Sequence, residues 1–447
     1  MNSMKAVIMA GGEGTRLRPV STGRPKPMVP ILDKPVLSHI LELLKRAGIR
    51  DVCTTLGYMP EAVIDYYGSG EEFGMNITHR REDKPLGTAG GILACRDFYG
   101  DEDFLVISGD AACDFDLLPL IKEHRKHKPQ ITIALYSHPE PLQYGLVVTD
   151  KDGVVRAFVE KPSWERVITD RVNTGIYIVS PKAMEHVPAD RAFDFAKDLF
   201  PLVMAKGGEI RAVTLEGYWC DIGSPASYHA SCMDALMGRL EARPKAELRR
   251  DGVWSAIPLP EDAEIIPPVI IGADAVIEGG AVIGPNAVIG SKSRVCRGAE
   301  VSGSVIDGCV IKEGARVHGA VVCPGAAVET GCEVKPGEVI GPPGVQYVPP
   351  EIKRPVKQAG RSPMDAVREI SCPSRAALMR AISENMVAFG AEFDDGLTLS
   401  DEKGTVHIFP SPDREALIIE ARSHEAEASE ELCAEYENLA RKMVNNE

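Results

Sequence analysis

From about residue 264 an aliphatic side chain returns every six residues, at Ile271, Ile277, Ile283, Ile289, Val295 and Val301. The series runs on through Ile306, Ile311, Val317, Val322, Val328, Val334 and Ile340, with three intervals shortened to five. Ordinary strands with chance spacing would not sustain thirteen near-regular positions. A period of six marks a hexapeptide repeat, in which short strands stack into a parallel β-helix and each side of a triangular coil takes one hexad. Thirteen hexads make roughly four coils. Such a solenoid has open edges and flat apolar faces, so the reading predicts a homo-oligomer through the β-helix, or caps that cover it.

The solenoid, placed at residues 264–345, is one of several parts, because 447 residues exceed one ordinary core. Residues 1–245 alternate β-rich runs such as "KAVIMA", "DFLVISGD" and "QITIALY" with amphipathic stretches such as "VLSHILELLKRAG". That alternation predicts an α/β, Rossmann-like domain with a mostly parallel sheet, whose ligands sit beyond the carboxyl ends of the strands. A proline-rich stretch is read as a linker over 346–370. The tail, 371–447, reads as a small α+β module of helix, hairpin, strand and helix.

Charge and cysteine usage exclude several classes. A net charge of −15 argues against a general nucleic-acid surface. No stretch approaches eighteen apolar residues, and the N-terminal apolar run is too short for a signal peptide, so neither membrane insertion nor secretion is expected. Eleven scattered cysteines without a CxxC pair point to reduced thiols and a cytoplasmic location.

The first candidate site follows the first strand, in "GGEGTRLRPVSTGRPKP". Gly11, Gly12 and Gly14 leave backbone N–H groups free to close around phosphate oxygens. The loop is not a Walker sequence, since no GKS or GKT follows, and Leu17 stands where a dinucleotide loop has its third glycine. Arg16, Arg18, Arg24 and Lys26 come next, with Pro25 and Pro27 holding Lys26 in an extended segment. Fixed cations behind bare backbone suit a polyphosphate.

This string resembles the signature GGxGTRLxP…KP of the sugar-nucleotide pyrophosphorylases, the nucleotidyltransferases that join a sugar 1-phosphate to an NTP. The resemblance continues, in the family's order, through "PLGTAGG", "SGD", "QYGLVV", "FVEKPSW", "VNTGIYI" and "GYWCDIG". Residues 264–341 resemble the left-handed β-helix that many members carry. Within the family, "EKPSW", "VNTGIYI" and "FDFAKDLFP" look like the bacterial mannose-1-phosphate guanylyltransferases fused to a phosphomannomutase. The activity implied is formation of GDP-mannose and pyrophosphate from mannose 1-phosphate and GTP. The alternatives are uridylyl, thymidylyl or adenylyl transfer to glucose 1-phosphate, and a non-catalytic regulatory subunit of the same architecture.

The resemblance also implies roles. Gly11, Gly12, Gly14 and Thr15 would hold the NTP phosphates, and Gly87 and Thr88 would approach base and ribose. Arg16 would neutralise the departing pyrophosphate, Lys26 would bridge phosphates, and Lys161 would hold the sugar phosphate. Glu160 and Asn173 would bind sugar hydroxyls, with Gly145 letting the sugar approach the backbone. Asp110 and Asp221 would hold Mg²⁺, an ion that takes few carboxylates plus phosphate oxygens. One departure concerns Ser108, which stands where members commonly have asparagine, and implies altered support for Asp110. In the tail, "DGLTLSDEKGTVHIFPSPDREALIIEARS" resembles the last domain of phosphohexomutases, but "FPSPDREA" lacks the threonine and the Glu-Pro pair of their phosphate loop. The module is therefore expected to be a remnant that caps the solenoid, with a ligand-sensing role as the alternative.

Overall fold

In a computed structural model of the protein, the described residues are 4–345, 347, 365–386, 391–393, 396–400, 402–423 and 425–444. The apolar run ahead of the glycines forms the strand Ala6–Met9, deep inside a nine-stranded sheet. It pairs in parallel with Asp51–Leu56 on one side and Phe104–Ser108 on the other, and Asn76–Arg81 extends the parallel half. Alternate side chains serve opposite faces: Ile8 and Ile107 join one buried cluster, Val7 and Val106 another. Helix Val36–Arg46 covers the first cluster with Leu37, Ile40, Leu41 and Leu44, the i, i+3, i+4, i+7 stripe of an amphipathic helix.

The other half of the sheet departs from the mostly parallel expectation. Strand Arg171–Val179 runs antiparallel to Phe104–Ser108, Ile131–Ser137 and Gly145–Thr149, and Val155–Glu160 runs antiparallel to Gly145–Thr149. Here the chain returns by a short turn, with Gly153 at φ 79°, and an antiparallel partner needs no helical crossover.

Residues 253–340 form a parallel β-helix of three sheets. Ile271 stacks on Ile289, Ile289 on Ile306 and Ile306 on Val322, register steps of 18, 17 and 16 residues. The shortened intervals in the repeat are thus shortened coils. Of the thirteen repeat positions eleven are buried, and Ile277 and Ile340 pack against their cluster. The outward ladder Trp254, Ile270, Val288, Val305, Val321 and Val339 instead joins the cluster of the first domain. Burying each such aliphatic side chain stabilises the contact by about 1.5–3 kcal/mol. One flat face of the solenoid is therefore covered from within the chain. His229 Nε2 donates to the Gly303 carbonyl at 2.7 Å across the same contact.

The tail is a four-stranded antiparallel sheet with helices Arg375–Met386 and Ala426–Val444. Its first strand, Asp365–Ser371, begins inside the stretch read as linker, 346–370, and pairs along its whole length with Ala416–Arg422. The rest of that linker, residues 346 and 348–364, falls outside the described residues. Where the expectation had the module capping the solenoid, its described residues pack on the first domain: Ser383 donates to the Ile168 carbonyl, and Arg380 to Asp170. The same helix also contributes Leu378, Met379 and Ile382 to the buried cluster that contains Val167 and Ile168, so apolar burial and polar pairing together fix the placement. Among the described residues no helix is long and apolar enough to cross a membrane, and all eleven cysteines are free thiols.

Candidate active site

The glycine loop leaves the carboxyl end of Ala6–Met9, whose neighbours in the sheet come from connections running to opposite sides. Open α/β sheets form their ligand crevice at such a reversal of strand order. Gly14 is at φ 67°, and a Cβ there would lie 2.9 Å from Lys26 Cβ, so conformation and packing both require glycine. Gly12 faces open space, Gly11 packs beside Gly57 and Glu82, and Thr15 and Arg16 are exposed in a short 3-10 turn anchored by buried Leu17.

Lys26 sits in the turn Lys26–Met28, between Pro25 and Pro27, and is only 6% exposed. Its Nζ donates to Asp110 Oδ2 at 2.8 Å and to Asp221 Oδ1 at 2.9 Å. Asp110 follows the strand Phe104–Ser108, and Asp221 ends the strand Trp219–Asp221, which pairs with Ala111–Cys113 in the register Asp221 to Ala111. That small ladder brings together carboxylates remote in sequence. Ser108 Oγ donates to Asp110 Oδ1 at 2.5 Å, so the serine in place of asparagine still supports the carboxylate.

The electrostatics follow from this geometry. Burial alone would lower the Lys26 pKa, but the Asp110 and Asp221 charges outweigh it, and the ammonium is held above its ordinary value. Burial pushes Asp110 up, while Lys26, the Ser108 hydroxyl and the Arg16 charge pull it further down, leaving it depressed. Burial pushes the Cys220 thiol up, which disfavours a thiolate nucleophile beside Asp221. Two carboxylates that share one ammonium can also converge on one cation. Among the described residues no group of three or more His, Cys, Asp or Glu could hold a metal by itself.

On the far side of the glycine loop, the Glu82 carboxylate lies where a Cβ on Gly11 would come within 3.1 Å and one on Gly91 within 2.7 Å. Burial raises its pKa, against hydrogen bonds from the Thr55 hydroxyl and the Leu86 N–H. Gly87, at φ 73°, opens the helix Gly87–Leu93 and turns its bare side to Phe193, whose carbonyl a Cβ would meet at 2.6 Å. Thr88 Oγ1 donates to Asp194 Oδ2 at 2.8 Å and accepts from Phe195 N–H at 2.9 Å. These two residues, expected at base and ribose, are engaged in fixing the start of this helix.

The three expected sugar contacts do come together. Gly145 pairs with Glu160 across the hairpin, and a Cβ on it would meet Glu160 Oε2 at 2.9 Å and Asn173 Cβ at 4.0 Å. Lys161 is exposed, adopts φ 44°, unusual for a side-chain-bearing residue, and its N–H donates to the Tyr144 carbonyl at 3.1 Å. Tyr144 in turn stands edge-on to Trp219, with ring centroids 5.2 Å apart, so the hairpin that begins at Gly145 leans on the strand that carries Asp221. Sequence reasoning missed Glu82, Tyr144 and Trp219, although the tyrosine and tryptophan stand inside the motifs "QYGLVV" and "GYWCDIG".

Residues 5–237 match the family model described as nucleotidyl transferase, and residues 265–346 match the GMPPB C-terminal domain. The chain is similar to a UTP–glucose-1-phosphate uridylyltransferase of Synechocystis sp., 36% identical over 322 residues that cover 68% of this chain and 82% of that one. It is similar to a probable mannose-1-phosphate guanylyltransferase of Oryza sativa, 32% identical, covering 73% and 83% of the two chains. A mannose-1-phosphate guanylyltransferase of Mycobacterium tuberculosis is 30% identical, with 75% and 84% covered.

Proposed function

The chain belongs to the nucleotidyl transferase family, among the sugar-nucleotide pyrophosphorylases, and from that premise we propose that it transfers a guanylyl group from GTP to mannose 1-phosphate. The observation that carries the reading is the Lys26 ammonium clasped by Asp110 and Asp221 beside the Gly11–Gly14 loop, at the reversal of strand order. A phosphate oxygen of the sugar 1-phosphate attacks the α-phosphorus of GTP, and the bond to the β-phosphate oxygen breaks. Pyrophosphate leaves with the electron pair. The nucleophile is already an anion at neutral pH, so no general base is needed. What the step needs is alignment and relief of repulsion between two anions.

The residues divide that work. The glycine loop and Arg16 take the β- and γ-phosphates, and Lys26 lies at the junction of the two substrates. Gly145, Glu160 and Asn173 take the sugar, and Lys161 its phosphate. Asp110 and Asp221 would hold Mg²⁺, which when bound supplies Lewis-acid charge at the phosphate oxygens.

Glu82 favours guanine. A carboxylate accepts two hydrogen bonds side by side, and guanine offers adjacent N1–H and N2–H donors on one edge. Uracil and thymine offer a single N–H between two carbonyls there. The relatives in Oryza sativa and Mycobacterium tuberculosis, named for mannose 1-phosphate and guanylyl transfer, agree with this reading. The 36% identical Synechocystis uridylyltransferase favours a second one, UTP with glucose 1-phosphate. Purified protein assayed for pyrophosphate release with each of GTP, UTP, dTTP and ATP, against both hexose 1-phosphates, separates them. The highest kcat/KM is expected for GTP with mannose 1-phosphate. A higher value for UTP with glucose 1-phosphate selects the second reading, and no product from any pair returns the chain to a regulatory role.

A further inference from the structure

The segment Trp164–Arg171 joins the two sides of the sugar pocket: it begins three residues after Lys161 and ends two before Asn173. Helix Arg375–Met386 of the C-terminal module grips it at four places. The Arg375 guanidinium lies over the Trp164 ring, 3.4 Å from the centroid. Arg380 Nε donates to Asp170 Oδ1 at 2.7 Å, Ser383 Oγ to the Ile168 carbonyl at 2.7 Å, and Arg171 pairs with Glu384 at 2.6 Å. Residues 380, 383 and 384 share one helix face, since neighbours at i+3 and i+4 stand above one another.

This is more than contact between two surfaces. Exposed ion pairs contribute little, but Asp170 is 6% exposed and Ser383 1%, and removing one partner of a buried pair leaves a charge uncompensated. The grip also reaches the hairpin. The Asp170 carbonyl accepts from the His138 N–H at 2.9 Å, and the His138 ring lies 4.9 Å from that of Tyr144, the residue before Gly145. Arg375 is itself fixed by the carbonyls of Ser411 and Arg414, at 2.5 and 2.7 Å.

We propose that the C-terminal module is a positioning part of the sugar 1-phosphate half-site. Through Arg380, Ser383 and Glu384 it sets where Glu160, Lys161 and Asn173 stand, and it leaves the nucleotide half alone. The inference rests on the placement of the sugar 1-phosphate at Gly145, Glu160 and Asn173 proposed above. None of the three helix residues touches substrate; they act through Ile168, Asp170 and Arg171. Sugar affinity, rather than the chemical step, is what they control.

The test uses the full-length chain and separates the KM values for the two substrates, taking whichever pair it turns over best. The variants are Arg380→Ala, Glu384→Arg, the charge exchange Arg171→Glu with Glu384→Arg, and Asn173→Ala as the reference for the pocket itself. Arg380→Ala and Glu384→Arg are expected to raise the sugar 1-phosphate KM about five- to thirtyfold. The NTP KM should stay within about twofold, and the charge exchange should recover most of the sugar affinity. Equal movement of both KM values, tracking a loss of thermal stability and without recovery on charge exchange, would make the contact merely structural and overturn the proposal. A raised sugar KM in Asn173→Ala with unchanged values in Arg380→Ala and Glu384→Arg overturns the positioning role alone. An unchanged sugar KM in Asn173→Ala overturns the pocket assignment, and the positioning role with it.

Discussion

Arg24 donates to Asp307 Oδ2 at 2.5 Å, binding the cation-rich loop of the first domain to the solenoid. The side chains are 21% and 13% exposed, and Arg24 also donates to the Val20 carbonyl within its own loop. An arginine that reads in sequence as one more phosphate cation is therefore a fastener. Asp307→Ala should destabilise the protein by about 1–3 kcal/mol, as loss of a part-buried, charge-assisted hydrogen bond does. It should also raise the NTP KM while leaving the sugar KM in place, because the loop it frees is the one beside Gly11 and Gly14. Chemical unfolding together with the two KM values checks both expectations; an unaltered NTP KM would mean the loop holds its shape without the solenoid.

Asp110 and Asp221 clasp Lys26 and are proposed to hold Mg²⁺, so activity should depend on both carboxylates and on the ion. Asp110→Ala and Asp221→Ala should each lower turnover per folded molecule by orders of magnitude, and each should also lower Tm, because buried Lys26 is left with one carboxylate. Chelation with EDTA should abolish the activity of the unaltered protein, and added Mg²⁺ should restore it. Full activity in EDTA would remove the ion from the reaction.

The same cluster sets a pH window. The folded-state pKa of Asp110 lies below its ordinary 3.8, so its contribution to stability is complete above that value and fades as the pH falls through the depressed one. Lys26 lies above its ordinary 10.5, so its contribution is complete below that value and fades as the pH rises through the raised one. The difference in Tm between the unaltered protein and Lys26→Met should therefore be level across the neutral range. It should shrink in strong acid and again in strong alkali. A difference that shrinks near neutrality would show that these charges are not paired as described.

Glu82→Gln tests the base contact directly, because glutamine keeps the shape and loses one of two adjacent acceptors. The kcat/KM for GTP should fall about tenfold or more, the worth of one good hydrogen bond to a charged group. UTP should be far less affected. Burial raises the Glu82 pKa above its ordinary 4.5, so the loss of GTP affinity on acidification should be smaller in Glu82→Gln, which has no carboxylate to protonate, than in the unaltered protein. Equal losses for both nucleotides would place Glu82 in loop packing instead of base reading.

How much of this could be read from sequence depended on whether the determinant was local. The hexads predicted the solenoid because every coil repeats the same short-range pattern, and the buried Ile283, Ile289 and Val295 answer to it directly. The glycine turn after the first strand was legible for the same reason, with Gly14 at φ 67°. The Arg380–Asp170 bond spans 210 residues and leaves no periodic trace in either segment. Nor does Arg24 differ in sequence from a phosphate-binding arginine until its solenoid partner is in place. The antiparallel half of the sheet was misread because buried strands look alike whichever way they run.

The same limit applies to the loop "FPSPDREA", where the sequence leaves open what its Ser411 and Arg414 do. Ser411 is fully buried, and its hydroxyl donates to Asp413 Oδ1 at 2.7 Å. Arg414 pairs with Glu369 at 2.8 Å and with Asp413 at 3.6 Å. A phosphate arriving there would have to displace carboxylates from both residues and would meet the charges of Asp413 and Glu369 as it did so. The module should accordingly not isomerise hexose phosphates, whatever it does for the sugar pocket. The measurement is conversion of mannose 6-phosphate to mannose 1-phosphate by the full-length protein, with and without added Mg²⁺. The expected result is no conversion above the uncatalysed background, also in Glu369→Gln with Asp413→Asn, where the arginine is released but no second phosphate-transferring group appears. Turnover of mannose 6-phosphate by the unaltered chain would show that the loop grips phosphate in spite of these pairs.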